Sequence, residues 1–296
     1  MNGAANEPST ARLRPEEITA RSGSSFLTGF VCLAPARRAG MTAIYAFCRV
    51  ADDAVDEAPD AATGERHLQF WRTELAATIA GAASTPVGQA LRVQMDRFGV
   101  SQDRLDELLD GVATDLRPRP FADEEELHRY CYRVASAVGL ACLPVLGATS
   151  DGAKTFADAL GHALQRTNIL RDLRGDALGG RCYVPATWLA AEGVQREWLT
   201  GVGPDSAYAA AGPMARLCER LASAARREFA RARSALRKLP RAERRALVPA
   251  RIMGAIYSDL LDRLQRRRGD LRGERVRVGR AKKLWLALQV LVGARA

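Results

Sequence analysis

No stretch of this 296-residue chain alternates strictly between apolar and polar residues, so a half-buried strand has nothing to form from, and the fold class is all-α. No apolar run approaches the roughly 20 residues that a membrane-spanning helix needs. The last such run, Leu284 to Val292, falls far short. The N-terminus opens polar and gives no export signal. Six cysteines (32, 48, 131, 142, 182 and 218) never form a Cys-x-x-Cys pair, which leaves out the common zinc arrangements. Several lie in apolar helical runs, as buried reduced thiols do, and a cytoplasmic protein is expected. A Gly-x-Gly-x-x-Gly fingerprint is absent, so the sequence gives no ground for NADPH. Neither a zinc finger nor an RNA-binding aromatic signature accompanies the net charge of +10, so no nucleic-acid partner is expected. None of the three histidines (67, 128, 162) sits in a motif, and no repeat or low-complexity segment is visible.

What is present suffices for a large core: 47% of residues are hydrophobic and 26% charged, which excludes compositional disorder. Residues 1–12 are small and polar and are expected to form a disordered tail, with one helical domain over 13–296. Arginine concentrates between Arg216 and Arg280. Such a basic face either attracts anionic lipid headgroups, giving peripheral contact at the inner membrane surface, or is simply solvated.

The chemistry begins at Tyr45–Glu57, YAFCRVADDAVDE. Ile44, Phe47, Ala51 and Val55 recur at helical spacing, which puts Asp52 and Asp56 on one face, about 6 Å apart along the axis. Asp53 and Glu57 repeat the pattern, and Arg49 stands one turn before Asp53. Like charges at this spacing destabilise a helix, so the run is either a solvated helix end or half of a cation site. A second stretch, Gln165–Asp176, reads QRTNILRDLRGD. Asn168, Asp172 and Asp176 share a face at i, i+4 and i+8, with Ile169, Leu170 and Leu173 elsewhere. Two helices with oxygen ligands at this spacing suit magnesium, which takes a few carboxylates and completes its shell with water and phosphate oxygens. Arg49, Arg171 and Arg174 on the same segments suit phosphate. Together these residues point to a diphosphate bridged by magnesium.

These two motifs, the second continuing as ALGGRCYVP, resemble the aspartate-rich signatures of the squalene/phytoene synthase family. The resemblance continues through Ser24-Ser25-Phe26, Tyr130-Cys131-Tyr132 and Ala250–Leu288, and so covers nearly the whole chain in order. It implies a single-domain isoprenoid-synthase helical bundle with a central active-site cavity, in an enzyme joining two isoprenoid diphosphates head to head. Carried over by position, Asp52, Asp56, Asn168, Asp172 and Asp176 would hold Mg2+, with Mn2+ as a substitute. Tyr130, Arg49, Asp52, Asp56 and Asp172 would act in catalysis. Ser25, Phe26, Tyr45, Arg49, Gln165, Asn168, Arg171, Tyr183, Tyr257, Arg275 and Lys282 would contact substrate, with Arg277 competing with Arg275. Asp115 matches a recurrent family position. The pairing of Ser-Ser-Phe near the start with KLWLAL near the end is most similar to bacterial presqualene diphosphate synthases of hopanoid pathways. The implied substrate is therefore farnesyl diphosphate, with functional coupling to later squalene-pathway enzymes. Geranylgeranyl diphosphate, giving phytoene, is the alternative, and so is NADPH-dependent formation of squalene. A non-enzymatic assembly factor or lipid-surface binder is a reading of another class, which the intact aspartates oppose.

Local signals set the expected borders. A helix opens at Pro15, and another after Pro35 carries the first motif. Further helices are expected near 61–82, 87–98, 101–115, 124–138, 151–174, 206–236 and 242–268. Gly175–Gly180 is expected to end the second acidic helix in a flexible loop that could close over the diphosphate. Asp176 would then fall at the helix end, past the last regular turn.

Overall fold

The computed structural model describes residues 7–22, 27–30, 32–270 and 272–293, and among them there is no strand. Helix α1 (Pro15–Ser22) and the single turn α2 (Leu27–Phe30) precede α3 (Pro35–Asp56), which carries the first acidic motif. Helices α4 (Ala61–Ile79), α5 (Pro86–Phe98) and α6 (Gln102–Ala113) follow. Next, α7 (Glu124–Cys131) runs through a π-helical turn, Tyr132–Ser136, into α8 (Ala137–Leu146). The second motif lies on α9 (Asp151–Leu178), followed by α10 (Ala186–Glu192) and α11 (Pro213–Lys238). The chain closes with α12 (Arg241–Ala246), α13 (Val248–Arg266) and α14 (Arg280–Leu291).

Side-chain caps set several of these starts. Asp60 accepts from Thr63 N at 2.7 Å, Thr85 Oγ1 from Gly88 N at 2.9 Å, and Asp123 from Glu126 N at 2.9 Å. Helix α9 is the centre of the bundle. Its buried residues, from Ala153 to Leu173, face several directions, as expected of a helix enclosed by neighbours. Helix α11 packs along it, burying Leu217, Leu221, Ala225 and Phe229 and turning its arginines outward. Small residues set the closest approach on the other side. A Cβ at Gly161 would lie 2.5 Å from Ser136 Cα, so only glycine lets α9 pass the π-helical turn at this distance.

Several borders differ from the sequence expectation. Helix α9 continues through Gly175 to Leu178, because the tertiary setting outweighs the roughly 1 kcal/mol helix penalty of one glycine. Arg174, just before it, is anchored to the carbonyls of Thr200 and Arg272, both at 3.0 Å. The helix expected to end at Val138 extends through the apolar run to Leu146, where Gly147 takes a left-handed cap with φ +82°. The helix expected over 242–268 is two helices, since Pro249 fits only a first turn and the chain restarts after Leu247. Helix α11 begins at Pro213 for the same reason, with Asp205–Tyr208 a separate 3-10 turn. Within the stretch expected as a tail, 1–12, Ser9–Arg12 forms a 3-10 turn that buries Ala11, and residues 1–6 lie outside the described residues.

Among the described residues no helix is long and apolar enough to cross a membrane. All six cysteines are unpaired, and Cys48, Cys131, Cys182 and Cys218 are buried.

Candidate active site

A cavity of about 860 Å³ lies between the inner faces of α3, α8, α9 and α13. Phe156 and Asp176 both line it and stand twenty residues apart on α9, so it extends about 30 Å at 1.5 Å per residue. Its lining divides along each helix. Met41, Ile44 and Tyr45 give way to Arg49, Asp52 and Asp56 on α3, and Phe156, Ala157 and Leu160 give way to Asn168, Asp172 and Asp176 on α9. The C-terminal ends of both helices therefore make a charged mouth, and the remainder is an apolar sleeve.

The charges of the mouth are unevenly paired. Asp172 receives two guanidinium forks. Arg275 donates to it through Nε at 2.6 Å and Nη2 at 2.8 Å, and Arg171 through Nε at 2.9 Å with a second, shorter contact from Nη2. Burial pushes Asp172 up, but the two arginines outweigh it and hold its carboxyl below the usual range. Arg181 Nη1 donates to Asp56 at 2.7 Å, and Arg49 pairs with Asp53 at 2.5 Å. Asp52 and Asp176 make no ion pair among the described residues. Enclosure by protein, then the neighbouring Asp56, pushes Asp52 up to about 7. Burial, then Asp172, does the same to Asp176.

Two tyrosines stand at one wall, backed by the buried Phe121. Tyr130 and Tyr183 stack at 5.0 Å between centroids and 20° between planes, and Phe121 tilts against both at 5.2 and 5.9 Å. Asp115 fixes the two phenols: Tyr183 Oη donates to its Oδ1 at 2.8 Å and Tyr130 Oη to its Oδ2 at 3.0 Å. Burial, partly offset by these hydrogen bonds, pushes Asp115 up to about 6. Both phenols are themselves raised, by burial first and then by Asp115.

The structure brings most of the sequence-derived candidates together. Tyr45, Arg49, Asp52, Asp56, Tyr130, Gln165, Asn168, Arg171, Asp172, Asp176, Tyr183, Tyr257 and Arg275 all line the cavity. Lys282 does not. It points to Asp259 at 3.6 Å, and Lys283, one position on, takes the cavity wall together with Arg277. Helical rotation separates adjacent residues by about 100°, which sequence spacing outside a motif does not resolve. Ser25 and Phe26 lie outside the described residues. Asp176, doubted because of Gly175, is one helical turn from Asp172 on an unbroken helix. Sequence reasoning missed the thiols of Cys48 and Cys142 in the wall and Arg181 as the partner of Asp56. Cys48 was discoverable, since it precedes Asp52 by four residues on the same face.

The donor set fits a hard divalent cation. It consists of carboxylate and amide oxygens, two of the carboxylates lack a cationic partner, and Asn168 Oδ1 is buried with no hydrogen bond. Among the described residues no three acidic, histidine or cysteine side chains stand close enough to hold an ion by themselves. Phosphate oxygens of a substrate would have to complete the shell, which is how magnesium is usually held.

An all-helical bundle whose apolar cavity opens at two facing acidic helices has the fold of the isoprenoid synthases. The family model for squalene/phytoene synthases matches residues 19–282, and the chain belongs to that family, which makes it an enzyme, a prenyltransferase. It is 35% identical to the presqualene diphosphate synthase of Zymomonas mobilis subsp. mobilis, over 93% of this chain and 91% of the relative. It is 31% identical to the chloroplastic phytoene synthase 1 of Zea mays, over 94% of this chain and 67% of the relative. A crystal structure of a dehydrosqualene synthase in complex with ligand superposes with a TM-score of 0.82 at 26% identity, covering 95% of each chain.

Proposed function

We propose that this enzyme joins two molecules of farnesyl diphosphate head to head and releases presqualene diphosphate, a step toward squalene and hopanoids. The observation that carries the reading is the pair of acidic helices facing one end of a long apolar cavity. This matches a charged headgroup and a hydrocarbon tail in one molecule. Likeness to the Zymomonas enzyme supports the substrate and the product.

A diphosphate entering the mouth competes with Asp172 for the forks of Arg171 and Arg275 and meets Arg49, Arg277 and Lys283. Magnesium held by Asp52, Asp56, Asn168, Asp172 and Asp176, with manganese able to replace it, would supply Lewis-acid stabilisation of the leaving oxygens. These cationic side chains favour ionisation because they neutralise charge that grows as the carbon–oxygen bond breaks. The allylic cation left behind needs a dry surround, which the Val, Leu and Phe lining of the sleeve supplies. The stacked faces of Tyr130 and Tyr183, fixed by Asp115, offer π-density to passing positive charge. The double bond of the second substrate then attacks. One carbon–oxygen bond breaks, two carbon–carbon bonds close the cyclopropane, and one diphosphate and one proton leave. The phenol oxygen of Tyr130 is the proposed first acceptor of that proton.

Similarity to the maize enzyme over most of this chain sustains a second reading, phytoene from geranylgeranyl diphosphate. The test is incubation of the purified protein with magnesium and either substrate, without NADPH, and mass spectrometry of the products. Presqualene diphosphate from the shorter substrate is expected, unchanged on adding NADPH. Phytoene from the longer substrate alone would replace the leading reading with the second, and squalene on adding NADPH would extend the reaction by a reduction.

A further inference from the structure

Helix α14 carries an apolar stripe that faces away from the protein. Leu284, Trp285, Leu288, Leu291 and Val292 are 50–68% exposed. They recur at i, i+1, i+4, i+7 and i+8, one side of the helix, while Leu286 and Val290 on the other side are buried, where α14 packs on α13. The other strongly exposed large hydrophobic residues among those described, Val93, Leu178 and Val202, lie singly on separate elements. A cluster of five on one short helix is not the ordinary scatter of surface apolar residues.

The charge around the stripe has one sign. From Arg275 to Gly293 the chain carries Arg275, Arg277, Arg280, Lys282 and Lys283 and no carboxylate. Arg275 is paired with Asp172 and Lys282 approaches Asp259, but Arg277, Arg280 and Lys283 make no ion pair among the described residues. Trp285 sits at the border between this basic turn and the apolar stripe, the position an indole prefers between headgroup and acyl chain.

We propose that α14 is an interfacial helix that docks the enzyme on an anionic lipid bilayer, its Leu/Trp face in the acyl boundary and its basic first turn among the headgroups. The charge selects this occupant over a second copy of the chain. Neither orientation of two packed stripes supplies an acid to this turn: parallel helices set the two basic turns side by side, and antiparallel helices set each against the acid-free apolar end of the other. Docking would hold one wall of the cavity at the headgroup level, because Val278 and Lys283 belong to both the start of this region and the cavity lining. Amphiphilic substrates and products would then exchange with the bilayer rather than cross water.

The test uses the full chain and no substrate, so it stands or fails apart from the proposed reaction. Vesicles of phosphatidylcholine mixed with phosphatidylglycerol are compared with phosphatidylcholine alone, by co-sedimentation and tryptophan emission. Trp71 and Trp188 are buried and Trp198 packs partly buried against the core, so Trp285, the one strongly exposed indole of the four, should dominate a blue shift on binding and be quenched by brominated lipid. Expected are binding to the mixed vesicles that weakens with salt, and at least about a tenfold lower partition for Leu284→Ser/Leu288→Ser. That variant should keep the wild-type circular dichroism and the wild-type turnover of substrate free in buffer. Trp285→Tyr should still sediment but lose the blue shift. Equal binding to both vesicle types, or binding untouched by the double substitution, overturns the proposal. So does failure to bind either vesicle. A wild-type dimer by light scattering that the double variant turns into a monomer would assign the stripe to a second copy instead.

Discussion

The ends of α3 and α9 look alike in sequence, an aspartate pair four residues apart, yet they stand in different electrostatic states. On α9, Asp172 is gripped by two arginines, one its own neighbour in the chain and one from 103 residues away. On α3, Asp52 has no such partner. Arg49, on its own helix, turns to Asp53, and the arginine that crosses from the α9–α10 loop goes to Asp56. Enclosure acts on both carboxylates, but only at Asp172 is it outweighed, so one lies below the usual range and the other is pushed up to about 7. The same side chain at the same helical spacing is thus a satisfied ion-pair partner in one place and a destabilising charge in the other. A chain keeps a carboxylate like Asp52 for what binds it, because its folded state alone gains nothing from it.

That contrast makes two amide substitutions diverge. Asp52→Asn should lower turnover about 10²- to 10³-fold, the usual cost of removing one group that stabilises developing charge. It should leave the melting temperature unchanged or slightly higher, since it removes a repelled, enclosed charge. Asp172→Asn should lower turnover comparably but also destabilise the fold by about 1–2 kcal/mol, because Arg171 and Arg275 are left facing each other without their acid. Steady-state rates and thermal unfolding of both variants check this. Equal melting shifts of the same sign would break the comparison.

Arg181 tests the crossing contact. Its pair with Asp56 is partly exposed, so Arg181→Gln should cost the fold little, under about 1 kcal/mol. If the loop closes over bound diphosphate, KM for the substrate should rise about tenfold while the circular dichroism spectrum stays the same. An unchanged KM would reduce the contact to a surface ion pair.

The two faces that bear Asp52/Asp56 and Asn168/Asp172/Asp176 were legible because helical periodicity places side chains by arithmetic alone. Legibility stopped where placement depends on contacts between distant segments. Gly175 is a breaker by local rules, and only Arg174, tied to Thr200 and Arg272, shows why the helix runs on and Asp176 keeps its register. Asp115 could be singled out by resemblance, but that it receives both Tyr130 and Tyr183 depends on a loop 68 residues further along. Lys282 and Lys283 differ by one step of rotation on a helix whose phase no motif fixes. The stripe on α14 was visible as an apolar run too short to span a membrane. Which of its residues the bundle covers was not.

The smallest effect concerns the reverse of α9, where the logic of the mouth recurs with a base. His162 is fully buried and stacked on His128 at 3.9 Å, with neither ring nitrogen hydrogen-bonded. Burial first, then His128, pushes its pKa down to about 3. Asp158 opposes this, while Arg166 and Arg231 add to it. The folded state therefore holds His162 neutral at pH values where the unfolded chain protonates it. Stability from this group is complete above the ordinary histidine pKa near 6.5 and falls as the pH drops toward 3. Between pH 6.5 and 5 one such group accounts for about 2 kcal/mol at most. The raised carboxylates of the cavity act in the opposite direction, so the raw acid slope mixes the two regions. His162→Leu separates them. The stability difference between this variant and the parent, followed by denaturant titration, should shift in favour of the variant by up to that amount on going from pH 7.5 to 5. A difference that stays flat with pH would mean that His162 is protonated alike in both states, and that Asp158 outweighs burial at the back of α9.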